Sequence, residues 1–126
     1  MYEFFKMIKK DLTVLMIDDE IDLCVALSGF FKKENIEFVC AYSLHEGKIK
    51  LDECNPTVLL LDNNLPDGFG TDWLKIFKSE CPRLKIILIT ANAIVAKSKE
   101  TFLADKVLVK PTSFKEILQA LKNLHI

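Results

Sequence analysis

The chain has 126 residues, half of them apolar and 28% charged, which is enough to close one globular core and excludes a disordered chain. Seventeen basic residues against eighteen acidic leave a net charge of −1, so no large-scale field draws it to nucleic acid or an anionic membrane, and neither direct nucleic-acid binding nor membrane insertion is expected. Cys24, Cys40, Cys54 and Cys81 lack the C-x-x-C spacing of zinc or redox sites, with only His45 and His125 to join them, and are expected as free thiols in a reducing cytoplasm.

Residues 1–11 are broken by Glu3 and Lys6 before they form a signal-peptide core, and no apolar run approaches the roughly 18 residues of a membrane span. They read as an N-terminal extension without an assigned role, ahead of one domain over 12–126. Leu12 to Ile17 is the first strand, closed by Asp18-Asp19-Glu20, whose carboxylates suit a helix start. Leu23, Ala26, Leu27 and Phe30 then recur at i, i+3, i+4, i+7, the stripe of an amphipathic helix, closed by Lys32-Lys33. Ile36 to Cys40 is a second strand, and Ser43 with Glu46 forms a capping box for a weak helix to about Asp52.

Val58 to Leu61 is an apolar run without helical period, as in a strand buried on both faces, and it ends abruptly at Asp62. Asn63-Asn64-Leu65-Pro66-Asp67-Gly68 is turn chemistry. The spacing of Phe69, Trp73, Ile76 and Phe77 predicts a third helix with an aromatic covered face, stopped by Pro82. Leu84 to Ile89 is a fourth strand ending at Thr90, and Asn92 to about Ala104 is expected as a fourth helix. Lys106 to Val109 is the fifth strand, followed by Lys110-Pro111 and a last helix through Phe114, Ile117, Leu118 and Leu121, capped by Thr112 or Ser113. Five β-α units in alternation imply a parallel α/β sheet with right-handed crossovers and helices on both faces.

The strand ends carry the chemistry. In an open parallel sheet, ligands bind outside the carboxyl ends of the strands, and here those ends are Asp18-Asp19, Asp62, Thr90 and Lys110. Three carboxylates on one rim repel, each pair by roughly 4 kcal/mol at about 4 Å and an effective dielectric near 20. A cation must sit among them, and an all-oxygen cluster favours Mg²⁺ ahead of Mn²⁺ or Ca²⁺. With Lys110 as a second positive group and Thr90 as a hydroxyl donor, the set describes a phosphoryl site with a carboxylate nucleophile. Taken singly, each residue has a plainer role: Asp18 and Asp19 as helix caps, Asp62 as a turn residue, Thr90 and Lys110 as ordinary strand ends, Trp73 and the nine Phe as core.

With D-D-E at 18–20, D-N-N-L-P-D-G at 62–68, T-A at 90–91 and K-P at 110–111, the sequence from Leu12 to Leu124 resembles the receiver domain of bacterial two-component response regulators. The resemblance implies a flavodoxin-like, doubly wound sheet of strand order 2-1-3-4-5. It implies that Asp62 accepts a phosphoryl group from a phosphohistidine on a sensor kinase or phosphotransfer protein. Asp19, Asp62 and the backbone carbonyl of Asn64 would hold Mg²⁺ directly and Asp18 through a water, while Thr90 and Lys110 would bind phosphoryl oxygens. The Lys110-Pro111 peptide is expected to be cis, as is common in this family. Such a domain is a phosphorylation-controlled switch in cytoplasmic signal transduction that assists its own phosphorylation and dephosphorylation, and not an enzyme acting on an external substrate. One departure stands out: the family usually carries Tyr or Phe three residues before its lysine, where this chain has Val107.

Two other classes compete. A phosphohydrolase of the haloacid dehalogenase kind would carry its nucleophile on the first strand and an acid two residues later, where this chain has Asn64 after a mid-chain Asp62. A receiver-like scaffold with an idle pocket is opposed by the intact Asp19, Asp62, Thr90 and Lys110. No DNA-binding, cyclase or kinase segment follows the last helix, so the expectation is a protein acting by docking or one part of a larger regulator, with an effector the sequence does not identify.

Overall fold

The computed structural model describes residues 12–124; the expected extension over 1–11 and His125 lie outside the described residues. Strands β1 (Thr13–Ile17), β3 (Val58–Asp62) and β6 (Lys85–Thr90) are nearly continuous apolar runs, and a strand apolar on both faces has to be covered on both. They form the centre of a parallel five-stranded sheet with β2 (Glu37–Ala41) and β7 (Lys106–Val109) at its edges, in the order β2-β1-β3-β6-β7. This is the expected flavodoxin-like order; the numbering shifts because a small antiparallel hairpin, β4 (Asn64–Leu65) and β5 (Gly68–Phe69), follows β3.

Strand alternation divides the core. Val14, Met16, Val58, Leu60, Ile87 and Ile89 face one cluster, closed by α1 (Ile21–Lys33) and α5 (Phe114–Asn123). Leu15, Ile17, Leu59, Leu61, Ile86 and Leu88 face the other, closed by α2 (Leu44–Cys54) and α3 (Gly70–Glu80). The helix ends follow local chemistry. The Ser43 side chain accepts from the Glu46 N–H, Asn55 closes α2 in the left-handed conformation, and Ser113 with Glu116 forms a full capping box on α5.

Two elements depart from the sequence pattern. In α3 the covered stripe is Gly70, Leu74 and Phe77, with Trp73 packed partly against it, whereas Phe69 and Ile76 are 55% and 40% exposed. Phe69 is held as the cap because it pairs with Asn64 in the hairpin, so the helix starts one residue later than the aromatic spacing suggests. The expected fourth helix over 92–104 is a single turn, α4 (Ala93–Ala96), followed by a 3₁₀ turn at Lys99–Thr101. Ser98 causes the break: its hydroxyl donates to the Val95 carbonyl at 2.8 Å and accepts from the Glu100 N–H at 3.3 Å. Lys97 to Glu100 also offers no apolar side chain to bury.

Gly70 joins α3 to the end of β3. Its N–H donates to the Asn63 carbonyl at 2.8 Å, and a Cβ there would meet the Asp62 carbonyl oxygen at 2.8 Å and Leu61 Cγ at 3.0 Å. Gly70→Ala is therefore expected to destabilise the fold by about 1–3 kcal/mol, as overpacking against backbone does. Urea denaturation reads this directly, and an unchanged midpoint would show that α3 can back away from β3.

Candidate functional site

Register builds the site. Leu61 is level with Ile17, so Asp62 and Asp18, each one residue further on, stand side by side at the carboxyl edge. Asp62 is level with Ile89, and Thr90 is level with Val109, so Thr90 and then Lys110 continue the rim. Alternation sets directions. Asp18, Asp62 and Lys110 continue the series of Met16, Leu60 and Leu108 toward the α1/α5 side, and Thr90 continues Ile86 and Leu88 toward the α2/α3 side, which Val107 shares.

The geometry agrees with that division. Lys110 Nζ lies 3.2 Å from Asp62 Oδ1, 3.2 Å from Glu20 Oε1 and 3.8 Å from Asp18 Oδ2. Asp18 is fully buried and Asp62 is 4% exposed, while Asp19 is exposed. Carboxylate oxygens of Asp18, Asp19 and Asp62 lie within 4.8 Å of one another. Asp18 Oδ1 accepts from the Glu20 N–H at 2.8 Å, but its buried Oδ2 has no hydrogen-bond partner among the described residues. Burial first, and then the neighbouring Asp18 charge, push Asp62 up to about 6; burial likewise raises Asp18. Burial pulls Lys110 down, but Asp18 and Asp62 outweigh it and hold the ammonium above its usual range. An unpartnered buried carboxylate oxygen beside two more carboxylates fits a hard divalent cation.

The loop after Asp62 is tied on both sides. The Asn63 N–H donates to the Ile89 carbonyl at 2.8 Å, and Asn63 Oδ1 accepts from the Thr71 N–H at 3.0 Å. Asp67 reaches back to α2, where its carboxylate accepts from the Leu44 and His45 N–H groups and pairs with His45 Nδ1. Desolvation opposes ionisation of Asp67, but these hydrogen bonds prevail and hold it at about 2. Asn64 is exposed in β4. Thr90 is buried, its Oγ1 accepting from the Asn92 N–H at 3.1 Å, and the Lys110 N–H donates to the Thr90 carbonyl at 2.8 Å. The Lys110-Pro111 peptide is cis.

Sequence reasoning missed Glu20 as a partner of Lys110, since D-D-E looks like a helix start, and Glu20 is in fact the N-cap of α1 without a side-chain cap bond. It missed Asp67 as a second acceptor, beside Ser43, for the first amides of α2.

The family model for the response regulator receiver domain matches residues 14–122. The chain belongs to the response regulator receiver domain family. Among curated relatives, the probable transcriptional regulatory protein TcrX of Mycobacterium tuberculosis is 32% identical over 114 residues, which cover 89% of this chain and 49% of TcrX. The transcriptional regulatory protein ZraR of Salmonella typhimurium is 25% identical over 119 residues, 93% of this chain and 27% of ZraR. This receiver domain thus spans between a quarter and a half of those relatives. Among solved structures, the response regulator TrrA of Thermotoga maritima, determined in complex with Mg²⁺ and beryllium fluoride, superposes with a TM-score of 0.78 at 25% identity, covering 88% of this chain and 96% of TrrA.

The raised Asp62 value predicts a pH dependence. A carboxyl raised in the folded state stabilises fully below its unfolded value near 4 and loses that contribution as pH rises through about 6. Asp18 has the same sign, and the Asp67 contribution is lost only below about pH 4, outside this window. In EDTA, the urea midpoint of this receiver domain should fall between about pH 4.5 and about pH 7.5, and Asp62→Asn should flatten the fall. A midpoint that climbs across this range would mean that burial and the Asp18 charge do not raise Asp62.

Proposed function

We propose that Asp62 is the phosphoacceptor of this receiver domain and takes its phosphoryl group from a phosphohistidine of a sensor kinase or phosphotransfer protein. One observation carries the reading: Asp62 is the buried carboxylate that lies both in the cluster with Asp18 and Asp19 and within 3.2 Å of Lys110 Nζ. An Asp62 oxygen attacks phosphorus, the P–N bond breaks, and the imidazole keeps the electron pair and a proton as an acyl phosphate forms. Lys110 Nζ leaves Asp62 Oδ1 for a phosphoryl oxygen, and the Thr90 hydroxyl donates to another. Asp19, Asp62 and the Asn64 carbonyl would hold Mg²⁺ and Asp18 would act through a water, with Mn²⁺ as second choice. When bound, the divalent cation offsets phosphoryl charge that the carboxylates would otherwise repel. TrrA, which binds Mg²⁺ and beryllium fluoride, supports this assignment. Water later cleaves the acyl phosphate, so the domain is a self-resetting cytoplasmic switch that contacts protein partners and not nucleic acid.

Switching runs through Thr90. Its hydroxyl accepts from the Asn92 N–H, and Asn92 Oδ1 in turn accepts from the Ile94 and Val95 N–H groups that start α4. Drawing Thr90 toward the phosphoryl group loosens that chain of bonds. Val107, on the same side of the sheet, is short and stiff at χ1 and has no ring to swing into the vacated space.

Incubation with acetyl phosphate and Mg²⁺ should add one phosphoryl group by intact mass, and Asp62→Asn should abolish it. Stoichiometric labelling of the Asn variant elsewhere would remove Asp62 from the role. Mg²⁺ at a hundredfold excess over its dissociation constant should stabilise the wild type by about 2.7 kcal/mol in denaturant melts. With beryllium fluoride as the phosphoryl mimic, Thr90→Ala should blunt the chemical-shift response of residues 92–101 and Val107→Ala should keep it. The opposite pattern would place the transmission at position 107.

A further inference from the structure

Two of the four cysteines are brought together by the patterns that build α1 and β2. On α1 the buried stripe is Cys24, Leu27 and Phe31. On β2, Phe38 and Cys40 face the same cluster, while Val39 and Ala41 face the opposite one. Phe31 stacks on Phe38 with ring centroids 5.1 Å apart. A crossover helix runs antiparallel to the strands it joins, so Cys24, two turns before Phe31, lies toward the same end as Cys40, two residues after Phe38. There the two thiols sit as neighbours in the same cluster. Cys24 is fully buried and Cys40 is partly exposed.

We infer that Cys24 and Cys40 form a reversible dithiol–disulfide site, oxidised by hydroperoxides, that ties α1 to the edge strand β2. The partly exposed Cys40 reacts first. The neighbouring Cys24 thiol holds the Cys40 thiol below its usual range, prevailing over burial and the charges of Asp18 and Glu46, while Cys40 and burial push Cys24 up. The Cys40 thiolate attacks one peroxide oxygen; the O–O bond breaks, an alcohol or water leaves with the proton, and Cys40 becomes a sulfenic acid. Cys24 sulfur then attacks Cys40 sulfur, and the sulfenic oxygen leaves with the Cys24 proton as water. Two thiols lose two electrons and two protons, and the peroxide accepts them. A small dithiol reverses the step by exchange.

The site has a defined neighbourhood. The Cys24 N–H donates to the Glu20 carbonyl at 3.2 Å, and Ala41, next to Cys40, accepts from the Asp18 N–H at 3.0 Å. The pair therefore joins α1, which follows the turn from Asp18 to Glu20, to β2, whose end holds that turn through Ala41. The inference is independent of the phosphoacceptor reading, and Asp62→Asn should oxidise as the wild type does.

The full chain is treated with hydrogen peroxide, quenched with catalase, alkylated, digested and mapped by mass spectrometry. Two of the four thiols should be lost to alkylation, with one intrachain peptide pair joining Cys24 to Cys40 that dithiothreitol reverses. The double variant Cys54→Ser, Cys81→Ser should keep this response. Cys24→Ser should stop at a Cys40 sulfenic acid trapped by dimedone. A bridge from Cys40 to Cys54 or Cys81, a bridge between two chains, or four intact thiols under exposure that oxidises free cysteine would overturn the inference. Wild-type mapping decides even if a serine variant does not fold.

Discussion

Asp18 and Asp62 do not meet because they attract; the register of β1 on β3 sets them side by side, and the repulsion is a consequence of the fold. Three carboxylates, Asp18, Glu20 and Asp62, share the ammonium of Lys110, and Asp19 adds a fourth beside Asp18 and Asp62. At roughly 4 kcal/mol per close pair at an effective dielectric near 20, one cation cannot offset the whole set. Part of the imbalance is relieved by the proton that Asp62 keeps up to about pH 6. A buried oxygen of Asp18 without a donor is the part left over. A protein that removed this charge would be more stable and would lose its affinity for a cation, the exchange of stability for function that strained sites make.

The sheet separates two tasks. The face continued by Asp18, Asp62 and Lys110 holds the charges, and α1 and α5 exclude water beneath them. The opposite face holds Thr90 and Val107 above α2, α3 and the segment through Leu103. Because side chains alternate, a change at Asp62 reaches the second face only through the rim, where Thr90 and Lys110 share a backbone hydrogen bond. The loop beyond Asp62 has little slack, being tied to β6 through Asn63, to α3 through Gly70 and Thr71, and to α2 through Asp67. The end of β6 is the more open route.

Most of the architecture was legible because the patterns are local and unmixed. Three apolar runs named the central strands, and the polar residues that end them, Asp18, Asp62 and Thr90, together with Lys110 after β7, named the rim. What escaped depends on contacts across the chain. Glu20 looks like the first turn of a helix and instead meets Lys110, 90 positions away in sequence. Asp67 looks like a turn residue and caps a helix that starts 23 residues earlier. Phe69 fits a helical period but is claimed by the hairpin with Asn64. The fourth helix was overread for a different reason: Asn92 caps it, but the Ser98 side chain bonds to the neighbouring backbone one turn later, and Lys97 to Glu100 carry no apolar side chain to oppose the break.

That broken helix sets a hierarchy of protection. α4 contributes no buried residue and the 3₁₀ turn only Thr101, while Ile94 and Phe102 stand 82% and 78% exposed. The segment is held by local backbone turns and by side-chain bonds to its own backbone, so opening it exposes little new apolar surface and leaves the sheet intact. Its amides belong to the lowest rung of a native-state hydrogen-exchange ladder, well below those of β1, β3 and β6, which exchange only with global unfolding. The stretch next to Thr90 is thus the part of the molecule that can rearrange at the smallest free-energy cost.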